Sequence, residues 1–303
     1  MRAVQAFSVS PTIVDLQVEP GKVQEGKIDV TNTTDVTKTY YVSVQKFVAK
    51  GEDGQQDFLP ESDTTGIPSW ISPASRSVTL RAGEHASLSY AVRVPVGVEP
   101  GGHYAALFFS DQPSRGEGSS VAVSAKVGVL FLVRVPGNIV ESARVEGFSS
   151  LSERMSHLPA QFEFRVRNLG NTHIRPEGPV VVRNIFGIVV AKIPANPTEA
   201  AVLPNSVRRL GPAWTKTFDA RNASGILGEL KAEWNNFAIG PYTAEVQATY
   251  GGQQQQLTAT TSFWVMPWML LITIGLGILI LIILLKVYGR MAVRSAIKKG
   301  KRP

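Results

Sequence analysis

Residues 87–94, Ser87-Leu88-Ser89-Tyr90-Ala91-Val92-Arg93-Val94, carry a large apolar side chain at every second position until Pro95 ends the run. Successive side chains on a strand point to opposite faces, so this spacing sends Leu88, Tyr90, Val92 and Val94 into one core. A helix would scatter the same four residues around its circumference. The stretch therefore reads as a half-buried strand, and most of the chain follows suit. Short alternating or apolar runs recur at 13–18, 27–31, 39–47, 77–80, 86–94, 103–109 and 121–135, broken by Pro, Gly, Asn and Ser. Lys50-Gly51-Glu52-Asp53-Gly54 is a turn between two of them and lacks the spaced carboxylates of a calcium loop.

The pattern restarts near Pro136-Gly137-Asn138, with runs at 140–147, 161–168, 179–182, 187–193, 229–234, 242–250 and 257–265. Phe162, Phe164 and Val166 share one face of the second of these. No long segment between 7 and 262 has a helical period. The two halves also rhyme: Ile28-Asp29-Val30-Thr31-Asn32 and Phe164-Arg165-Val166-Arg167-Asn168 each end a strand in Asn before a turn. A Gly-x-Tyr entry into a strand follows later in both, at Gly102-His103-Tyr104 and Gly240-Pro241-Tyr242. The expected fold is all-β, with two tandem Ig-like β-sandwich domains at 7–137 and 138–262. No proline-rich spacer parts them, so they are expected to abut.

Phe263 to Leu285 (FWVMPWMLLITIGLGILILIILL) is 23 residues without a charge, long enough for a transmembrane helix. Trp264 and Trp268 stand at its start, where amphipathic rings favour the headgroup region, and Pro267 falls at the first turn. Lys286, Arg290 and Arg294 follow on its far side, at the opposite membrane interface. They open a run of seven basic residues after 285 that contains no acid. Removing those seven from the 31 Lys and Arg leaves 24, matched by 24 Asp and Glu. The net charge of +7 thus belongs to the tail, which argues against a nucleic-acid-binding face on the main body. The positive-inside rule then places 286–303 in the cytoplasm and the β domains outside the cell membrane. Residues 1–6 read as the remnant of a signal-cleavage region, Val4-Gln5-Ala6 having the small residues of such a site.

Function is less legible. The chain has no cysteine, which excludes disulfides and thiolate chemistry. Its four histidines, His85, His103, His157 and His173, form no metal-ligand spacing, and there is no GxSxG, SxxK, P-loop or dinucleotide fingerprint. No catalytic residue, metal or cofactor is called for. Trp70 and Trp214 are expected in packing rather than as carbohydrate platforms, and the polar 110–120 stretch as a hairpin connection or a binding loop.

Several stretches, taken in order, resemble the WxL-interacting protein family of bacterial surface proteins. They are Glu19-Pro20-Gly21 with IDVTN, Ser69-Trp70-Ile71 leading to LRAGE, PGGHYAALFF at 100–109, RNLGN at 167–171, VLPNSVRR at 202–209 and GPYTAEVQATYG at 240–251. The resemblance covers nearly all of 7–262 and implies two Ig-like domains, a single membrane span, and binding to peptidoglycan or to a surface protein. The expected function is that of a membrane-anchored extracytoplasmic binding protein. Two rivals are an assembly chaperone acting by β-strand augmentation, which requires an unpaired edge strand beside an apolar groove, and a membrane-bound hydrolase with an unrecognised site.

Overall fold

The computed structural model of the chain describes residues 7–112, 126–216 and 225–299. The first half comprises β1 (Phe7–Ser10), β2 (Ile13–Gln17), β3 (Val23–Asn32), β4 (Lys38–Lys50), β5 (Gln55–Phe58), α1 (Ile67–Trp70), β6 (Ile71–Pro73), β7 (Ser77–Leu80), β8 (His85–Arg93), β9 (Gly101–Ser110) and β10 (Lys126–Val135). The second half comprises β11 (Ala143–Ser150), β12 (Arg154–Met155), β13 (Ala160–Asn168), β14 (Pro179–Asn184), β15 (Val189–Pro194), β16 (Val207–Leu210), β17 (Ala213–Trp214), α2 (Gly225–Asn235), β18 (Gly240–Tyr250), β19 (Gln255–Val265) and α3 (Trp268–Lys299).

These strands form sandwich-like sheets around separate cores. In the first half a sheet ordered β1-β3-β8-β6 faces one ordered β2-β10-β9-β4-β5, with β7 pairing β4. Leu88, Tyr90, Val92 and Val94 all enter the core between them, as their alternation requires, and meet Phe109, Phe131 and Trp70 there. In the second half β11-β13-β16, with β17 on β13, faces β12-β19-β18-β14-β15. Phe162, Phe164 and Val166 pack in that core with Trp214, Tyr242 and Phe263. The helix α3 then leaves the second half, and Trp268–Met291 within it is apolar and exposed enough to be a candidate membrane span.

The rhyming asparagines occupy equivalent positions. Asn32 is fully buried at the end of β3, donating from Nδ2 to the carbonyls of Val36 (2.8 Å), Leu80 (3.2 Å) and Arg81 (2.9 Å) and accepting from Tyr40 OH at 2.9 Å. Asn168 is fully buried at the end of β13, donating to Thr172 O (2.7 Å) and Val202 O (2.8 Å) and accepting from Gly170 N at 2.9 Å. Each amide supplies hydrogen bonds to backbone groups left without partners where a strand becomes a turn. A side chain with both donors and an acceptor is needed, which is why Asn recurs there.

Two expectations are corrected. Residues 229–234, read as a strand, lie in the helix α2. Gly225–Asn235 is built from residues that tolerate a helix, including Leu, Ala, Glu and Lys, and its Glu233 reaches the start of α3. The apolar helix begins at Trp268 rather than at Phe263. Phe263 is a core residue of β19, and Pro267, which cannot donate to a ladder, separates strand from helix. Continuous hydrophobicity concealed that change of structure. Residues 1–6, most of the 110–120 stretch and the start of the 121–135 run lie outside the described residues.

Candidate functional site

The outer face of the β2-β10-β9-β4-β5 sheet is apolar, contrary to the polar surface an isolated sandwich presents. Register aligns Ile13 with Leu130 and Leu130 with Ala106, while Leu132 pairs with Tyr104. These residues are not part of the first core; Tyr104, Ala106 and Leu130 join Phe47 and Phe108 in a small apolar cluster that Leu203 of the second half packs against, and Ile13 and Leu132 line the space beside it. The 198–208 segment lies over this face and leaves a cleft of about 180 Å³, floored by Ile13, Phe47, Leu130 and Leu132 and walled by the β4–β5 turn and Arg208.

A polar joint fixes the two sides of the cleft. Asp15 on β2 faces His173 Nε2 at 3.2 Å and accepts a hydrogen bond from Arg175. Tyr104 OH sits 3.3 Å from His173 Nδ1, and Arg134 Nη2 donates to His173 O at 3.1 Å. His173 is 1% exposed and sealed between the halves, whereas Asp15 and Arg175 remain partly open to solvent. Burial pushes the Asp15 carboxyl up, but hydrogen bonds from His173 and Arg175, with their charges, outweigh it and hold it at about 2. Burial pushes the Tyr104 hydroxyl well above its ordinary value. A second contact runs through the β4–β5 turn: Arg165 Nε donates to Glu52 Oε2 at 2.7 Å, and Arg209 N donates to Glu52 O at 2.7 Å. A third is backbone to backbone, with Gly102 N donating to Asn171 O at 2.8 Å. Beside it, Gly101 sits at φ 138°, and a Cβ there would come within 2.7 Å of Asn171 O. Only glycine permits that approach.

Two features of the cleft are unfinished. Arg208 Nε is buried without a hydrogen-bond partner among the described residues, and burial depresses the guanidinium's pKa while Asp53 pulls it back up. Its guanidinium lies over Gly54, where a Cβ would fall 1.6 Å from Nη1. A half-buried cation facing an apolar floor is suited to a carboxylate. The other feature is the sheet edge. The strand β2 runs parallel to β10 only from Leu130 to Arg134, so Lys126–Val129 have no hydrogen-bonded strand on that side among the described residues. Ile13, 49% exposed, borders both this open edge and the cleft.

No protein family matches the chain by its sequence profile, and no curated protein matches it in sequence. Among solved structures it is similar to the class 5 fimbriae chaperone CfaA, at 12% identity and a TM-score of 0.41, over 84% of this chain and 98% of that one. It is similar to the E. coli chaperone DraB at 12% identity and 0.37, covering 84% and 95%. A third is the CsuC–CsuE chaperone–tip adhesion subunit pre-assembly complex from archaic chaperone-usher Csu pili of Acinetobacter baumannii, at 12% identity and 0.36, covering 84% and 97%. Likeness at this level assigns no residue a role, and the functional reading rests on the cleft.

The residues singled out from sequence lie elsewhere. Trp264 is half-exposed on β19 and Trp268 exposed at the start of α3, while Lys286 and Arg290 are exposed on the far part of that helix. Arg294 lies on α3 beyond the side chains described. Trp70 and Trp214 are buried in the two cores and offer no sugar platform. Among the described residues no group of three or more His, Asp or Glu could hold a metal ion. The joint and Arg208 escaped sequence reasoning. Their one trace was in stretches quoted for other reasons, RNLGN followed by Thr172-His173 and VLPNSVRR.

Proposed function

We propose that this chain is a membrane-anchored, non-catalytic binding protein whose two Ig-like domains hold an extended segment of a partner protein outside the cell membrane. The observation that carries this reading is the open edge of β10 continuing, through Ile13, into an apolar cleft that ends at the unpartnered Nε of Arg208. Main-chain hydrogen bonds along Lys126–Val129 would supply affinity, and alternate side chains would fill the apolar floor. A carboxylate, from the segment's C-terminus or an acidic side chain, would meet Arg208. This combines the expected binding role with the strand-augmentation mechanism first weighed as its rival. The resemblance to the WxL-interacting family supports the same class of partner, a surface protein. Peptidoglycan has less behind it, since the cleft floor is apolar and Trp70 and Trp214 are in the cores. The span at Trp268–Met291, with Lys286 and Arg290 toward its end, supports an anchored chain with a cytoplasmic tail.

The test uses the full chain in phospholipid nanodiscs and fluorescent peptides of alternating Val and Thr, ending in a free or an amidated C-terminus. The free form is expected to bind roughly tenfold more tightly, the value of one charge-assisted hydrogen bond. Arg208→Ala should abolish that preference while leaving the amidated peptide unaffected. Failure of both peptides to bind, or an unchanged preference in Arg208→Ala, would remove the reading.

A further inference from the structure

The end of the second half from which α3 emerges is apolar on three separate segments, two set at one level by strand register and the third tied there by a side-chain contact with α3. Asn184 of β14 pairs with Tyr242 of β18, and Tyr242 with Phe263 of β19; Gly240 pairs with Val265, three residues before α3 begins. The β14–β15 turn, continuing past Asn184, therefore reaches the level where strand gives way to helix, about two residues or 7 Å on. That turn exposes Ile185 (68%), Phe186 (82%) and Ile188. Its conformation is fixed: Asn184 Oδ1 accepts from Phe186 N and Ile188 N, each at 3.0 Å, and Gly187 takes φ 75°. The phenylalanine is held out, not left loose.

The second segment is α2. Ile226, Leu230 and Trp234 recur at i, i+4 spacing, with Leu227 beside them; Leu227 is 81% and Trp234 68% exposed. Beside this face Glu233, 1% exposed, accepts from Leu270 N at 2.6 Å and from Met269 N at 3.2 Å. These are backbone donors of the first turn of α3, which have no intrahelical partner, and the helix dipole favours an acid there. α2 is thereby clamped to the start of α3. The third segment holds Trp264 and Trp268, and Arg154, opposite Trp264 in the β12–β19 register, lines a recess with them. The joint with the first half lies toward the opposite end of β18 and β19, where Gly252 N donates to Glu141, whose carboxylate also lies 3.9 Å from Arg134 Nη1 of β10.

We propose that this end is a lipid-docking surface: the β14–β15 turn and α2 lie in the headgroup region of the bilayer that α3 spans, and the Glu233 clamp holds the module upright on it. This rests on the reading of α3 as a membrane anchor. The occupant follows from continuity with that span, since residues at the level of its first turn meet lipid before any partner. Tryptophans and an arginine at the rim are the side chains that interface favours. A soluble surface would not keep Phe186, Leu227 and Trp234 exposed at one end.

The absence of cysteine makes the test direct. Phe186→Cys, Leu227→Cys, Leu279→Cys at the middle of the span and Val36→Cys on the β3–β4 turn are each spin-labelled in the full chain, in nanodiscs at one chain per disc. Accessibility to oxygen is compared with accessibility to a water-soluble nickel chelate. Labels at 186 and 227 should show an oxygen-to-nickel ratio several-fold above that at 36 and below that at 279. Values at 186 and 227 equal to that at 36, with 279 still in lipid, would overturn the docking surface alone. A water-accessible 279 would overturn the anchor reading with it. Spin–spin broadening at 227 when two chains share a disc, together with loss of lipid contact at one chain per disc, would assign the face to a second copy and overturn the proposal.

Discussion

Replacing Asn168 with Leu is expected to lower the stability of the second half by about 3 kcal/mol and its melting midpoint by on the order of 10 °C. Leucine keeps the branching and heavy-atom count of asparagine and is larger, so no cavity term enters. What is lost is the pairing of buried backbone: the carbonyls of Thr172 and Val202 lose a donor at 2.7 and 2.8 Å, and Gly170 N loses its acceptor. Each such group, left buried and unpaired, costs about 1–3 kcal/mol. Asn168→Asp keeps an acceptor for Gly170 N but turns a carboxylate oxygen toward the two carbonyls, and so should be no more stable than Leu at neutral pH. Asn32→Leu is the counterpart in the first half. Far-ultraviolet circular dichroism during urea unfolding, with both variants compared, is the measurement. An Asn168→Leu loss below a few tenths of a kcal/mol would mean the turn rearranges, and the repeat would carry no structural weight.

Asp15→Ala should weaken the joint between the halves, at a cost of about 2 kcal/mol, because the removal leaves Arg175 Nη1 and the buried His173 Nε2 without their acceptor. The same contact makes the joint acid-labile. The folded carboxyl sits at about 2 against an ordinary 3.8, so its contribution is complete above about pH 4 and disappears as pH falls toward 2. With the side chain 34% exposed, solvent screening reduces the pH-dependent part to about 1 kcal/mol. Glu52, held low chiefly by its hydrogen bond from Arg165, works in the same direction. Unfolding at a series of pH values should therefore show wild type converging on Asp15→Asn in acid. A constant gap between them down to pH 2 would mean Asp15 is not the titrating group at the joint.

Secondary structure was legible wherever one face of a strand meets one core. Leu88, Tyr90, Val92 and Val94, like Phe162, Phe164 and Val166, report their burial by spacing alone. The recurrence of Asn32 and Asn168 was visible too, because a turn that buries backbone needs a side chain with donors and an acceptor. The misreadings came where composition stays constant while environment changes. Phe263 and Trp268 belong to one hydrophobic run, yet the first fills a sandwich core and the second begins a helix. In 229–234, alternating character resembled a strand, whereas Glu233 is committed to the first turn of α3.

The candidate site was hardly legible at all. Asp15 and His173 are separated by 158 residues, and Glu52 and Arg165 by 113. No local spacing encodes such pairs. Sequence by itself determined the β character, the repeated asparagine corner, the apolar span and the confinement of net charge to the tail, because each depends on neighbours within a few residues. Only the tertiary structure decided that an apolar outer sheet face would be roofed into a cleft, that Arg208 Nε would lose its hydration without gaining a partner among the described residues, and that three distant apolar segments would share one end of the second half. Burial and pairing across long loops are properties of the packed chain, and they come into being only when the sheets close.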